Sequence, residues 1–111
     1  MRNTSPEFET AFATFLAGCQ ARMNAYQTLH GYRLTPLYCD DGIRYIRIWE
    51  DTGQHICWGF VDKQTGDLLK PEGWKKPAKH ARGNIFDADG GLRFVTPHGP
   101  MYLDAIAEMT K

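Results

Sequence analysis

Cysteine is scarce in this chain: Cys19, Cys39 and Cys57 are odd in number, far apart and set among apolar neighbours. That excludes a disulfide framework and the paired spacing of a zinc site, and the three are expected to be reduced core residues. A surplus of charge is also missing, because thirteen Lys and Arg face thirteen Asp and Glu. Any electrostatic role must therefore come from where the charges sit. No apolar run approaches the roughly 18 residues of a membrane-spanning helix, and MRNTSPEFET carries acids with no apolar signal core. The expectation is a soluble, unexported protein with no membrane partner. Phosphate-loop and dinucleotide fingerprints are absent, and His30, His55, His80 and His98 lack the paired spacing of a metal site.

What is present is a globular composition. In 111 residues, 42% are hydrophobic, with three Trp, five Tyr and six Phe to fill a core, which fits a single domain over residues 1–111. Ser5-Pro6-Glu7 supplies a capping hydroxyl, a proline suited to the first helical position and an acid facing the positive end of the helix dipole. Phe8, Phe12, Phe15, Leu16, Cys19, Met23 and Tyr26 then recur at spacings of three and four. They draw one apolar stripe along a helix running from Pro6 to about His30, where Gly31 can end it and Gly18 can bend it.

After the helix the period changes to two. Residues 34–39, 43–50, 56–62 and 67–70 are β-prone runs separated by Asp41-Gly42, Asp51-Thr52-Gly53-Gln54 and Lys63-Gln64-Thr65-Gly66, all turn chemistry of hairpin length. The expected product is an antiparallel meander. A four-residue turn at 51–54 sets Glu50 opposite His55, Trp49 opposite Ile56, Arg47 opposite Trp58 and Tyr45 opposite Phe60. Tyr45, Arg47, Trp49, Trp58 and Phe60 would then share an aromatic face, leaving Ile46, Ile48, Cys57, Gly59 and Val61 to receive the helix.

Beyond Lys70 the pattern breaks at Pro71, Gly73 and Pro77, with room for one helical turn over 78–82. Residues 85–86 and 92–95 read as short strands around the turn at 87–91, and 101–109 reads as a closing helix. The fold class expected is α+β: a long N-terminal helix packed on an antiparallel β-meander, with a short C-terminal helix.

Basicity is concentrated in one place. Lys63, Lys70, Lys75, Lys76, Lys79 and Arg82 face only Asp67 and Glu72 over residues 63–82, an excess of four positive charges in a chain of none. Such polarity steers anionic partners, and clustered cations beside an aromatic side chain are a common way to hold phosphates. The basic loop, residues 70–84, is thus a candidate phosphate or nucleic-acid site formed by Lys70, Trp74, Lys75, Lys76, Lys79, His80, Arg82 and Asn84. The competing reading is a solvated loop anchored by Trp74. A second candidate is the face bearing Tyr45, Arg47, Trp49 and Trp58, which resembles single-strand stacking platforms in composition. The stronger reading of that face is structural: Arg47 opposite Trp58 makes a cation–π pair, and the C-terminal segment or a second copy in a homodimer covers the rest.

Other chemistry is poorly represented. Asp87-Ala88-Asp89-Gly90 lacks the further ligands of a calcium loop, so a turn is expected and no metal. Cys57 near His55 is the one local nucleophile–base pair, and an apolar setting would keep that thiol inert. No enzyme activity and no cofactor are expected.

GFVDKQTGDLLKPEGWKKPAKHARGNIFD, residues 59–87, resembles a segment of small uncharacterised proteins of tailed bacteriophages. There a strand, a T-G-D turn, an L-K-P strand end, a W-K-x-P-A-K segment and an H-A-R-G-N-I run follow in this order. The matching positions are Gly66, Asp67, Lys70, Trp74, Lys75, Pro77, Ala78, Lys79, His80, Arg82, Gly83 and Asn84. The resemblance implies a phage-encoded, non-enzymatic early or accessory protein in the cytoplasm of a bacterial host, and it carries no catalytic residues. Two functions are therefore weighed: binding of nucleic acid or a nucleotide, and binding or inhibition of a host protein. A third is a minor virion component.

Overall fold

The computed structural model describes residues 1–110. Helix α1 covers Pro6–Leu29, with the Ser5 hydroxyl oxygen accepting the Phe8 amide at 3.0 Å and Pro6 in the first turn. Its stripe is seated as the spacing predicts: Phe8, Phe12, Phe15, Cys19 and Met23 are buried. Gly18 is where Leu92 packs, since a Cβ there would meet the Leu92 side chain at 2.5 Å. Two glutamines on the helix fasten the chain that follows. Gln20 accepts the Leu37 amide at 2.7 Å and donates to the Thr35 carbonyl at 2.9 Å. Buried Gln27 donates to the Thr35 hydroxyl at 2.8 Å and accepts the Thr35 amide at 3.2 Å.

Five strands follow in an antiparallel sheet whose spatial order is their chain order: β1 (Leu37–Asp41), β2 (Tyr45–Asp51), β3 (His55–Asp62), β4 (Asp67–Pro71) and β5 (Pro77–Asn84). A two-stranded ribbon, β6 (Val95–Thr96) with β7 (Gly99–Pro100), precedes the short helix α2 (Leu103–Met109). The architecture is α+β. Besides shifted ends, with the first strand at 37–41 in place of 34–39 and the last helix starting at 103 in place of 101, it departs from the expected elements in three places. Residues 78–82 extend as part of β5 instead of making a helical turn, residues 85–86 lie in a turn, and of 92–95 only Val95 is in a strand.

The register of β2 with β3 also differs. Asp51 pairs with His55 and Trp49 with Cys57, but Ile48 pairs with Gly59 and Arg47 with Phe60, so one extra residue, Trp58, is accommodated at a bulge. A bulge reverses side-chain parity along the strand. With a loop of three residues, 52–54, Cys57 lies opposite Trp49 on the outer face and Trp58 turns inward to join Ile46, Ile48, Val61 and the helix in the core at 2% exposure, and beyond the bulge Phe60 lies opposite Arg47. Trp58 does not belong to the aromatic face, and Cys57 does not belong to the aliphatic one. Gly59 beside the bulge has no side chain because Pro100 of β7 packs there: an added Cβ would meet the proline ring at 3.2 Å.

Candidate functional site

The basic segment is a hairpin. Gly66, at φ +81°, closes the turn into β4, and the far turn is tied by the Glu72 and Gly73 amides, which both donate to the Lys76 carbonyl at 2.9 and 3.1 Å. Pro71 and Pro77 face each other at that end, and the strand that starts with Pro77 is the edge of the sheet, where a missing N–H is tolerated.

The turn at 72–76 brings Trp74 onto the outer face of the sheet, under the Arg47 guanidinium at 4.2 Å from the ring centroid. Arg47 also donates to the Trp74 carbonyl at 3.2 Å and to Asp40 at 2.6 and 3.2 Å. That ion pair, with a further contribution from the Trp49 indole, holds the Asp40 carboxyl below the usual range. Around Trp74 the rings continue. Trp49 lies 6.0 Å from it edge-on, His55 is 4.3 Å from Trp49, and Tyr38 stacks on Trp49 at 4.7 Å. The two surfaces read separately from the sequence thus meet in one: Arg47, Trp49 and Trp74 form its centre, and Tyr45 sits nearby against Phe60. Tyr38, Asp40 and His55 complete it and were missed. The pairing of Tyr38 with Trp49 and of Asp40 with Arg47 is their signal, and it is visible only once β1 is in register.

The cations of the hairpin divide into three groups. Lys75, Lys79 and His80 are exposed and form no ion pair among the described residues, and Lys76 reaches Glu72 at 3.3 Å with both side chains largely in solvent. Lys70 and Arg82 turn to the helix side instead. The Lys70 ammonium donates to the Pro100 carbonyl at 2.9 Å and lies 4.1 Å from the Tyr102 ring centroid, and Arg82 donates to the Met101 carbonyl at 3.3 Å. Desolvation lowers the pKa of both, with the neighbouring Arg82 charge adding to the effect on Lys70. Lys63 is the exception, a buried ammonium paired with Asp41. Asn84 acts on the backbone: it donates to the Thr65 carbonyl at 2.8 Å and to Asp67 at 3.0 Å, and accepts the Phe86 amide at 2.8 Å.

Thiol chemistry has no support in this arrangement. Pairing with Trp49 brings Cys57 to the outer face with His55, but burial pushes its pKa up to about 11, and that of Cys19 to about 12. No described helix is long and apolar enough to cross a membrane.

A family model matches residues 12–96, from the first turns of α1 to the end of β6. The chain belongs to DUF7717, a family of unknown function. No curated protein and no solved structure matches it. The DUF7717 region contains the whole hairpin and the aromatic surface, whereas Pro100 and Met101, the acceptors for Lys70 and Arg82, lie beyond it.

Proposed function

We propose that the outer face of the sheet and the β4–β5 hairpin together bind a phosphate-bearing partner, nucleic acid or a nucleotide, with bases stacking on the aromatic cluster and phosphates meeting the hairpin lysines. The observation that carries this reading is the seating of Trp74 beneath Arg47 and beside Trp49, which joins the basic hairpin to a row of rings. Stacking on such rings is tolerant of sequence, and the lysines supply attraction that needs no base contact. Lys75, Lys76 and Lys79 are the phosphate contacts in this reading; Trp74 and His80 shape the surface, while Lys70, Arg82 and Asn84 fix the hairpin. In this view the protein is a non-enzymatic phage accessory protein working in a bacterial host cytoplasm, the role that the resemblance over residues 59–87 implies.

The test is fluorescence anisotropy of a labelled single-stranded oligonucleotide at increasing salt. Affinity should fall steeply, and replacing Lys75, Lys76 and Lys79 with Ala should reduce the slope of log K against log salt by about two, at roughly 0.7 per phosphate contact on a single strand. No binding at low salt removes the reading.

A second reading, docking of a host protein on the same face, is favoured by Tyr38, which leaves 44% of its surface exposed beside the rings. Pull-down from nuclease-treated bacterial lysate separates the two: retention of one host protein selects the second, and loss of every partner the first. Light scattering tests whether the same face pairs two copies, and assay of purified particles tests the virion alternative.

A further inference from the structure

On the opposite side of the sheet, a cleft of about 660 Å³ opens between α1, β5 and the loop at 87–94. Three arginines from three separate segments line it: Arg22 from the helix, Arg82 from the edge strand and Arg93 from the loop. None of them is in an ion pair among the described residues. Arg22 donates once, to the Val95 carbonyl at a long 3.4 Å, and Arg93 lies 5.0 Å from the Phe94 ring centroid. Arg82 is only 7% exposed, bonds Met101 through one terminal nitrogen, and leaves its buried Nε–H without an acceptor. A buried guanidinium with an unmet donor is costly in isolation, and an anion in the cleft relieves that cost.

The remaining walls define what kind of anion. Leu92 and Phe94 make one side apolar, and Gly83 and Gly91 keep the backbone low on the other, so the space exceeds what a bare inorganic ion fills. Asp89 also borders the cleft: its oxygens accept the Gly91 and Arg93 amides at 3.0 and 2.7 Å, which shapes the loop, and its charge offsets part of that of Arg93. The Asp87 carboxylate has no hydrogen-bond partner among the described residues and can accept from a ligand hydroxyl or amine. Arginines on three walls of the cleft offer more donors than the two oxygens of one carboxylate can take, and a phosphate with three free oxygens uses more of them.

We propose that this cleft binds a small organic phosphate, its phosphate held by Arg22, Arg82 and Arg93 and its apolar part resting on Leu92 and Phe94. The site is separate from the outer face, because Arg22 belongs to the helix that covers the inner one.

Adenosine 5′-monophosphate, adenosine and inorganic phosphate serve as probes, titrated into the full chain and followed by amide chemical shifts and calorimetry. The monophosphate should shift the amides of Gly83, Ala88, Gly91 and Leu92, with inorganic phosphate weaker by about tenfold and adenosine weaker still. Arg22→Ala with Arg93→Ala, both at exposed positions, should weaken the monophosphate about tenfold or more while leaving the thermal midpoint unchanged, and Arg93→Lys should recover part of the loss. Lys75→Ala with Lys79→Ala should leave this binding intact, so that failure here and failure of the outer face are told apart. The proposal is overturned if those amides stay unshifted at roughly 10 mM, well above a millimolar Kd. It is equally overturned if the double arginine variant binds as the parent does, if inorganic phosphate binds as tightly as the monophosphate, or if the shifts follow the hairpin lysines.

Discussion

Gly99 stands at φ +124°, and a Cβ built on it would come within 2.6 Å of the Trp58 carbonyl oxygen. Two constraints meet at that position, one conformational and one steric, and neither can be relieved by a flexible side chain moving aside. Gly99→Ala should therefore destabilise the protein by about 2–3 kcal/mol in urea titration. Gly73 is the control, with a φ outside the left-handed region and nothing within 4 Å of its missing Cβ. Gly73→Ala should change stability by less than about 0.5 kcal/mol. The contrast separates a glycine required by packing between β3 and β7 from one that merely occupies a turn. It also tests whether the ribbon is docked on the bulge in solution.

Among the elements, α1 was the most legible. Its capping hydroxyl, proline and three-to-four spacing are local signals, and all of them describe contacts within a few residues. Its two glutamines were not legible, because what they bond lies across a loop. Gln27→Ala removes both bonds to Thr35 and leaves its buried hydroxyl and amide unmet, so it should lower stability by about 1–3 kcal/mol. Hydrogen exchange should show the loss concentrated over residues 30–37. The strands were legible as a meander, but the register was not: the loop holds three residues, 52–54, so that Asp51 already pairs with His55, and the bulge at Trp58 shifts the pairing once more, with Gly59 the one hint that another segment approaches closely there. The loop length decided the candidate site, since it moved Trp58 into the core and Cys57 out of it. The hairpin reads as a loop because two prolines forbid a central strand, yet Pro71 is the last residue of β4, beyond its pairing with β3, and Pro77 is the first residue of the edge strand β5, and both places tolerate proline.

For the whole molecule, acid is the informative perturbation. Asp40 is held below its usual range chiefly by the Arg47 hydrogen bond, Asp41 chiefly by Lys63, and Asp89 chiefly by the Gly91 amide. A depressed carboxyl binds its proton more weakly folded than unfolded. Its contribution is therefore complete above the unfolded range near pH 4 and is lost as pH falls through the folded values. Thermal melts should hold steady from about pH 7 to 5 and fall progressively below about pH 4. Asp41→Asn should flatten that decline in part and reduce stability at neutral pH by about 1–2 kcal/mol, less than for a fully enclosed pair because Asp41 is partly in solvent. Lys70 and Arg82 answer differently, because amide oxygens that hold them have no proton to gain across this range. Under progressive acidification the clasp of Lys63 with Asp41 should release before the root of the hairpin does. The anchorage of these two cations leaves their charge undischarged, so the hairpin's positive field persists while the other side of the sheet is coming apart.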